Sequence, residues 1–163
     1  MDIKNIDTTI YENRIKLGLC NEKIFKKILD GTDIIFEETN RYYTFDYLYN
    51  TENDIIFVEL KTRKIKLISY DTAIIAKNKL VFFDRLTDKR TKHLYIIYGF
   101  LNKSEDNIEY YYIKFNKILF KTFNEKIIFN KLHLEIPTSL LKPFEYFKKD
   151  IQFDLNIDND IDL

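Results

Sequence analysis

Asp46, Glu59 and Lys61 are the residues of this chain whose types and spacing fit metal-dependent phosphodiester chemistry. They lie in the segment from Tyr42 to Lys66, YYTFDYLYNTENDIIFVELKTRKIK. Side chains two apart on a strand share a face, so Glu59 and Lys61 point one way and Leu60 the other. The run Ile55-Ile56-Phe57-Val58 before them reads as a buried strand, where a charged pair needs a reason. Asp46 sits between Phe45 and Tyr47 in a second β-like, aromatic run, and a carboxylate there is costly unless paired or bound to metal. Two carboxylates on neighbouring strands, with the Leu60 carbonyl as a further oxygen, make a hard site suited to Mg²⁺ or Mn²⁺. The Lys61 ammonium could orient an attacking water or offset charge developing on a phosphate. A Glu-x-Lys triplet alone carries little weight in a chain that is 32% charged. The preceding β-formers and Asp46 supply the weight.

The order of motifs resembles the PD-(D/E)XK nuclease superfamily over residues 10 to 115, in the manner of its virus- and phage-type members. Gly18-Leu19-Cys20-Asn21-Glu22 is similar to the G-x-x-x-E signature of the family's first helix. Asp46 matches the motif aspartate, with Phe45 in place of the proline, which is not a ligand. Glu59-Leu60-Lys61 matches the E-x-K element. Ser69 to Arg85 resembles the second helix, with Lys77 and Asn78 in its middle. The resemblance implies an α/β, restriction-endonuclease-like core, a central mixed β-sheet flanked by helices, and DNA endonuclease activity. Asp46, Glu59, Leu60 and Glu22 would then hold the metal, with Lys61 beside the attacking water and Glu12 a rival to Glu22. DNA is preferred over RNA as substrate, and a homodimer is compatible but not required.

The net charge is zero, which does not suggest a polyanion partner until its distribution is read. Residues 1–60 hold 7 basic and 12 acidic side chains, residues 61–92 hold 10 and 3, and residues 93–163 hold 9 and 11. The excess therefore begins at Lys61 and includes Arg63, Lys64, Lys77 and Lys79, a candidate phosphate-binding stretch. The competing reading is a solvated helix face with basic loops. Two rival functions remain: a catalytically degenerate nucleic-acid-binding module on the same fold, and an unrelated α/β protein-interaction domain presenting Tyr110-Tyr111-Tyr112.

The expected organisation is a single domain over 1–149 and an acidic, flexible tail over 150–163. One cysteine, no apolar run of membrane-spanning length and no signal-peptide layout point to a soluble intracellular protein. Expected elements are a helix over 8–30 stopped at Gly31, and strands over 33–38, 41–49 and 55–61. A helix over 71–86, strands over 94–101 and 108–115, a hairpin centred on Asn124-Glu125 and a short helix over 138–149 follow. His93 and His133 have no zinc-binding spacing, and no phosphate-binding glycine loop is present.

Overall fold

The computed structural model describes residues 22–40, 43–63, 71–102 and 107–155, with the backbone alone at 101 and 102. The chain divides into two compact units, 1–36 and 37–163. In the first, residues 22–30 form α1, with Phe25 and Leu29 fully buried. Gly31 follows its last residue, as expected, and the Thr32 hydroxyl donates to the Leu29 carbonyl at 2.6 Å to close the end.

The second unit contains a six-stranded mixed sheet. Its strands are β1 (Glu37–Glu38), β2 (Tyr47–Asn50), β3 (Asp54–Arg63), β5 (Thr91–Asn102), β6 (Asn107–Lys114) and β9 (Lys142–Pro143), in the order β1-β2-β3-β5-β6-β9. Only β3 and β5 run parallel, from Asp54 opposite Thr91 to Arg63 opposite Phe100. A parallel pair needs a crossover, which carries β4 (Thr72–Ala76) and α2 (Lys77–Arg85). A second, antiparallel sheet joins β4 to β8 (Lys131–Pro137) and β8 to β7 (Asn124–Ile128). A short helix, α3 (Lys117–Phe120), precedes β7 and is capped by the Asn116 side chain. At the far end, α4 covers Phe147–Asp154. The architecture is thus mixed α/β, with helices flanking a central mixed sheet.

β3 is buried on both faces, which explains its unbroken apolar run. Ile55 and Phe57 on one face join Phe45, Phe83, Leu94, Ile96 and Tyr98 in the main core, to which β4 and β8 add Ala73, Ile75, Leu134 and Ile136. Phe83 of α2 stands edge-on to Phe57 at 6.0 Å and locks the helix to that face. On the opposite face Phe147 of α4 packs edge-on against Tyr95 and Tyr112, each at 5.3 Å.

Several expectations differ from this fold. The strand expected over 33–38 is limited to Glu37–Glu38, and Asp46 lies in a bend just ahead of β2 rather than within a strand. The helix expected over 71–86 is a strand followed by a helix, because Thr72–Ala76 buries alternate residues against β8. Lys77 consequently begins the helix instead of standing in its middle. The hairpin turns at Phe129-Asn130, since Asn116 caps a helix where its first strand was expected. The tail boundary expected at Asp150 falls inside α4. Residues 156–163 lie outside the described residues, as do Glu12, the Gly18–Asn21 part of the first motif and Lys64.

Candidate metal centre at the end of β3

The structure joins Asp46 to the Glu-x-Lys element through the backbone. The Asp46 amide donates to the carbonyl of Val58, the residue that Tyr47 already faces in the β2–β3 pairing, at 3.0 Å. The carboxylate then turns forward, and its Oδ2 accepts the Leu60 amide at 2.8 Å. Asp46 is thereby held at the Glu59–Leu60 peptide. A strand residue directs its amide and carbonyl to the same side, so the Leu60 carbonyl faces the Asp46 side and not β5. Thr39 pins the bend from outside, its hydroxyl donating to the Phe45 carbonyl.

Glu59 projects into the main-core face, with only 1% of its surface exposed. Its Oε1 accepts from two ammoniums, Lys61 at 3.2 Å and Lys79 of α2. Lys79 also donates to the Thr44 carbonyl at 3.2 Å, tying α2 to the bend that carries Asp46. Glu59 Oε2 is buried and has no hydrogen-bond partner among the described residues. A carboxylate oxygen in that state costs about 1–3 kcal/mol or more, so its environment is incomplete as it stands. Below it, the Tyr98 hydroxyl donates to the Ile74 carbonyl at 2.8 Å. Burial pushes the Tyr98 hydroxyl well above its ordinary range, with Arg63 opposing and Glu59 adding to the rise. Tyr98 therefore stays protonated and forms a wall of the site, not a base.

The expected site residues separate into groups. Asp46, Glu59, Leu60 and Lys61 come together, and Lys79, expected as a phosphate contact, joins them. Lys77 does not: it pairs with Glu125 of β7. Two residues along a helix are about 200° apart in direction, so Lys77 and Lys79 leave opposite sides of α2. Arg63, half-buried, ends β3. Glu22 is the first described residue of α1 and exposed, within the amino-terminal unit. Tyr43, outside the expected set, packs beside the bend, stacked on Phe57 at 6.4 Å and edge-on to Phe82 at 6.4 Å. Part of the basic excess is structural: Lys92 caps the carboxyl end of α2 through the Phe83 and Leu86 carbonyls, each at 2.7 Å. Arg90 forks onto Asp88 and holds its carboxyl far below the usual range. Tyr98 was not legible beside Glu59, and Lys79 only as a phosphate contact in a basic stretch, because their partners arrive from non-adjacent elements.

The oxygen-only donor set fits a hard divalent cation, and the orphaned Glu59 oxygen offers it a position. Among the described residues no three His, Cys, Asp or Glu side chains gather, so Asp46 and Glu59 are the carboxylates available here. No described helix is long and apolar enough to cross a membrane.

No family model matches the chain, and no curated protein matches it. Among solved structures it is similar to D212, a nuclease from a fusselovirus, at 14% identity over 91% of each chain with a TM-score of 0.38. At that level the likeness assigns neither site nor substrate to this chain.

Proposed function

We propose that this chain is a metal-dependent nuclease that hydrolyses DNA phosphodiesters at Asp46, Glu59 and Lys61. The observation that carries the reading is Glu59, buried within β3 with one oxygen shared by two lysines and the other without a partner among the described residues. Asp46, fixed at the Leu60 amide, and the Leu60 carbonyl complete an oxygen set for Mg²⁺ or Mn²⁺. Such an ion supplies Lewis acidity at the scissile phosphate and a water of lowered pKa.

The chain's own groups do the rest. Lys61 stands beside Glu59 to orient the attacking water and offset charge on the phosphate oxygens. Lys79 holds Glu59 in register with the Asp46 bend and competes with a cation for Oε1. Glu22 remains a candidate further acid from the amino-terminal unit, and Arg63 and Lys64 candidate phosphate contacts.

A second reading is the non-cutting module, favoured by the fact that two ammoniums already neutralise Glu59 without metal. Cleavage assays on plasmid, linear duplex, single-stranded and branched DNA and on RNA, with Mg²⁺ or Mn²⁺, decide between them. Metal-dependent cutting lost in Glu59→Ala is expected. Metal-independent DNA binding without cutting would transfer the assignment to the binding module.

A further inference from the structure

The β7–β8 hairpin carries a side chain that the fold itself does not use. Its loop is the two residues Phe129-Asn130, closed by Ile128 opposite Lys131. Both loop residues have positive φ, 48° and 61°, as a type I′ turn requires. Asn tolerates that conformation, but the first central position strongly favours Asn, Asp or Gly, and a Phe there is strained. The ring gains nothing in exchange from packing, because Phe129 is 95% exposed. Strain kept at an exposed position points to a use outside the fold.

The hairpin also projects. β4 pairs with β8 only as far as Ala76 opposite His133, and beyond that β7 and β8 pair with each other alone. The tip stands four residues further on, about 13 Å at ~3.3 Å per residue. Its root is anchored by the Lys77–Glu125 ion pair to α2. Ile127 beside the tip is 73% exposed. Residues 117–133 carry Lys117, Lys121, Lys126 and Lys131 against one acid, Glu125, which is already paired. Lys121, Lys126 and Lys131 are exposed and make no ion pair among the described residues. An aromatic ring on a rigid, projecting arm with cations around its base complements bases flanked by phosphates. A second copy of this cationic surface would be repelled.

We propose that Phe129 is a stacking wedge that inserts against or between the bases of the nucleic acid, with Lys126 and Lys131 on the adjoining phosphates. This rests on the nucleic-acid-directed reading of the chain, and extends it to a surface separate from the Glu59 centre. Stacking on an aromatic is sequence-tolerant, and insertion opens a duplex step.

The test uses the full chain in EDTA, so that binding is read without metal or cleavage. Fluorescence anisotropy on single-stranded and duplex DNA would compare the wild type with Phe129→Gly and Phe129→Trp, alongside 2-aminopurine emission within the bound strand. Phe129→Gly removes the strain and is expected to hold or raise Tm by about 2–4 °C, so lost binding cannot be lost folding. It should weaken binding about tenfold or more, the scale of one aromatic–base stack, and abolish the 2-aminopurine change, while Phe129→Trp retains both. Equal affinity and equal emission in Phe129→Gly overturn the wedge and leave the nuclease reading standing. A wild type that binds no nucleic acid overturns both. Unaltered DNA binding with loss of a dimer in analytical ultracentrifugation would instead make the hairpin a contact between copies of the chain.

Discussion

Two clusters of ionisable groups lie on opposite faces of the sheet, and they treat their carboxylates differently. Where α4 docks, Asp154 accepts from the Tyr95 hydroxyl and from Lys114 at 2.8 Å. Asp150 accepts from Tyr112 and, at 3.2 Å, from Lys142. His93, buried beside them, meets Asp54 at 2.8 Å through Nε2. Asp154 divides its partners between its two oxygens and Asp150 takes both on Oδ2, but neither has a buried oxygen without a partner among the described residues. At Glu59 two lysines crowd one oxygen and the other has none. A cluster that exists to hold the fold together satisfies its polar groups, whereas a site shaped for a ligand leaves one open. The buried oxygen without a partner, and not charge, separates the two.

The largest effect expected from breaking the comparison is at Glu59. Glu59→Gln should lower DNA cleavage by about a thousandfold or more, and remove the rise in Tm expected of the wild type with Mg²⁺ or Mn²⁺. Asp154→Ala should do the reverse. It leaves the buried Tyr95 hydroxyl short of an acceptor and costs about 1–3 kcal/mol in urea unfolding, with the metal response intact. A metal response lost in Asp154→Ala and kept in Glu59→Gln would invert the assignment of the two clusters.

Lys61→Ala is expected to lower cleavage by about a hundredfold to a thousandfold with DNA affinity little changed. Lys79→Met sharpens the contrast within the site. Removing the cation that shares Oε1 should tighten Mn²⁺ binding by calorimetry about tenfold, the scale on which one close charge moves a neighbouring equilibrium. Weaker Mn²⁺ binding would mean that Lys79 is needed to position Glu59.

The smallest effect concerns the seam. Burial raises the Tyr95 and Tyr112 hydroxyls above their ordinary range, and Asp154 and Asp150 raise them further. Unfolded tyrosines ionise near pH 10. Above that pH the unfolded chain binds fewer protons than the folded one, so stability falls as pH rises, and below it the contribution is complete. Denaturant unfolding followed from pH 8 to 11 should show a decline above pH 10 that is shallower in Tyr112→Phe. Equal slopes would remove Tyr112 from the titration.

Asp46, Glu59 and Lys61 were legible because their arrangement is local: one strand's alternation, one turn and one neighbouring run. Lys79 was legible only as part of a basic stretch. Its role depends on where α2 begins, and Thr72–Ala76 was read as helix because apolar residues at 73, 74, 76, 80 and 83 also suit a helical face. The partner that makes this segment a strand lies about sixty residues later in β8. Lys92 and Arg90 belonged to the same basic stretch, yet one caps a helix and the other forks onto Asp88. The hairpin was misplaced in register for a related reason. Asn116 and Asn124 both carry turn chemistry, and only the pairing of β7 with β8 chooses Phe129-Asn130 as the loop.

By itself, then, the sequence determined the grouping of Asp46 with Glu59 and Lys61, the buried character of β3 and the α/β class, since each follows from short-range periodicity and side-chain chemistry. Tertiary structure decided which lysine reaches Glu59, which basic residues are spent on the fold and which aromatic stands out in solvent. Those outcomes depend on helix phase, strand register and crossover partners, which are set by packing between segments far apart in the chain.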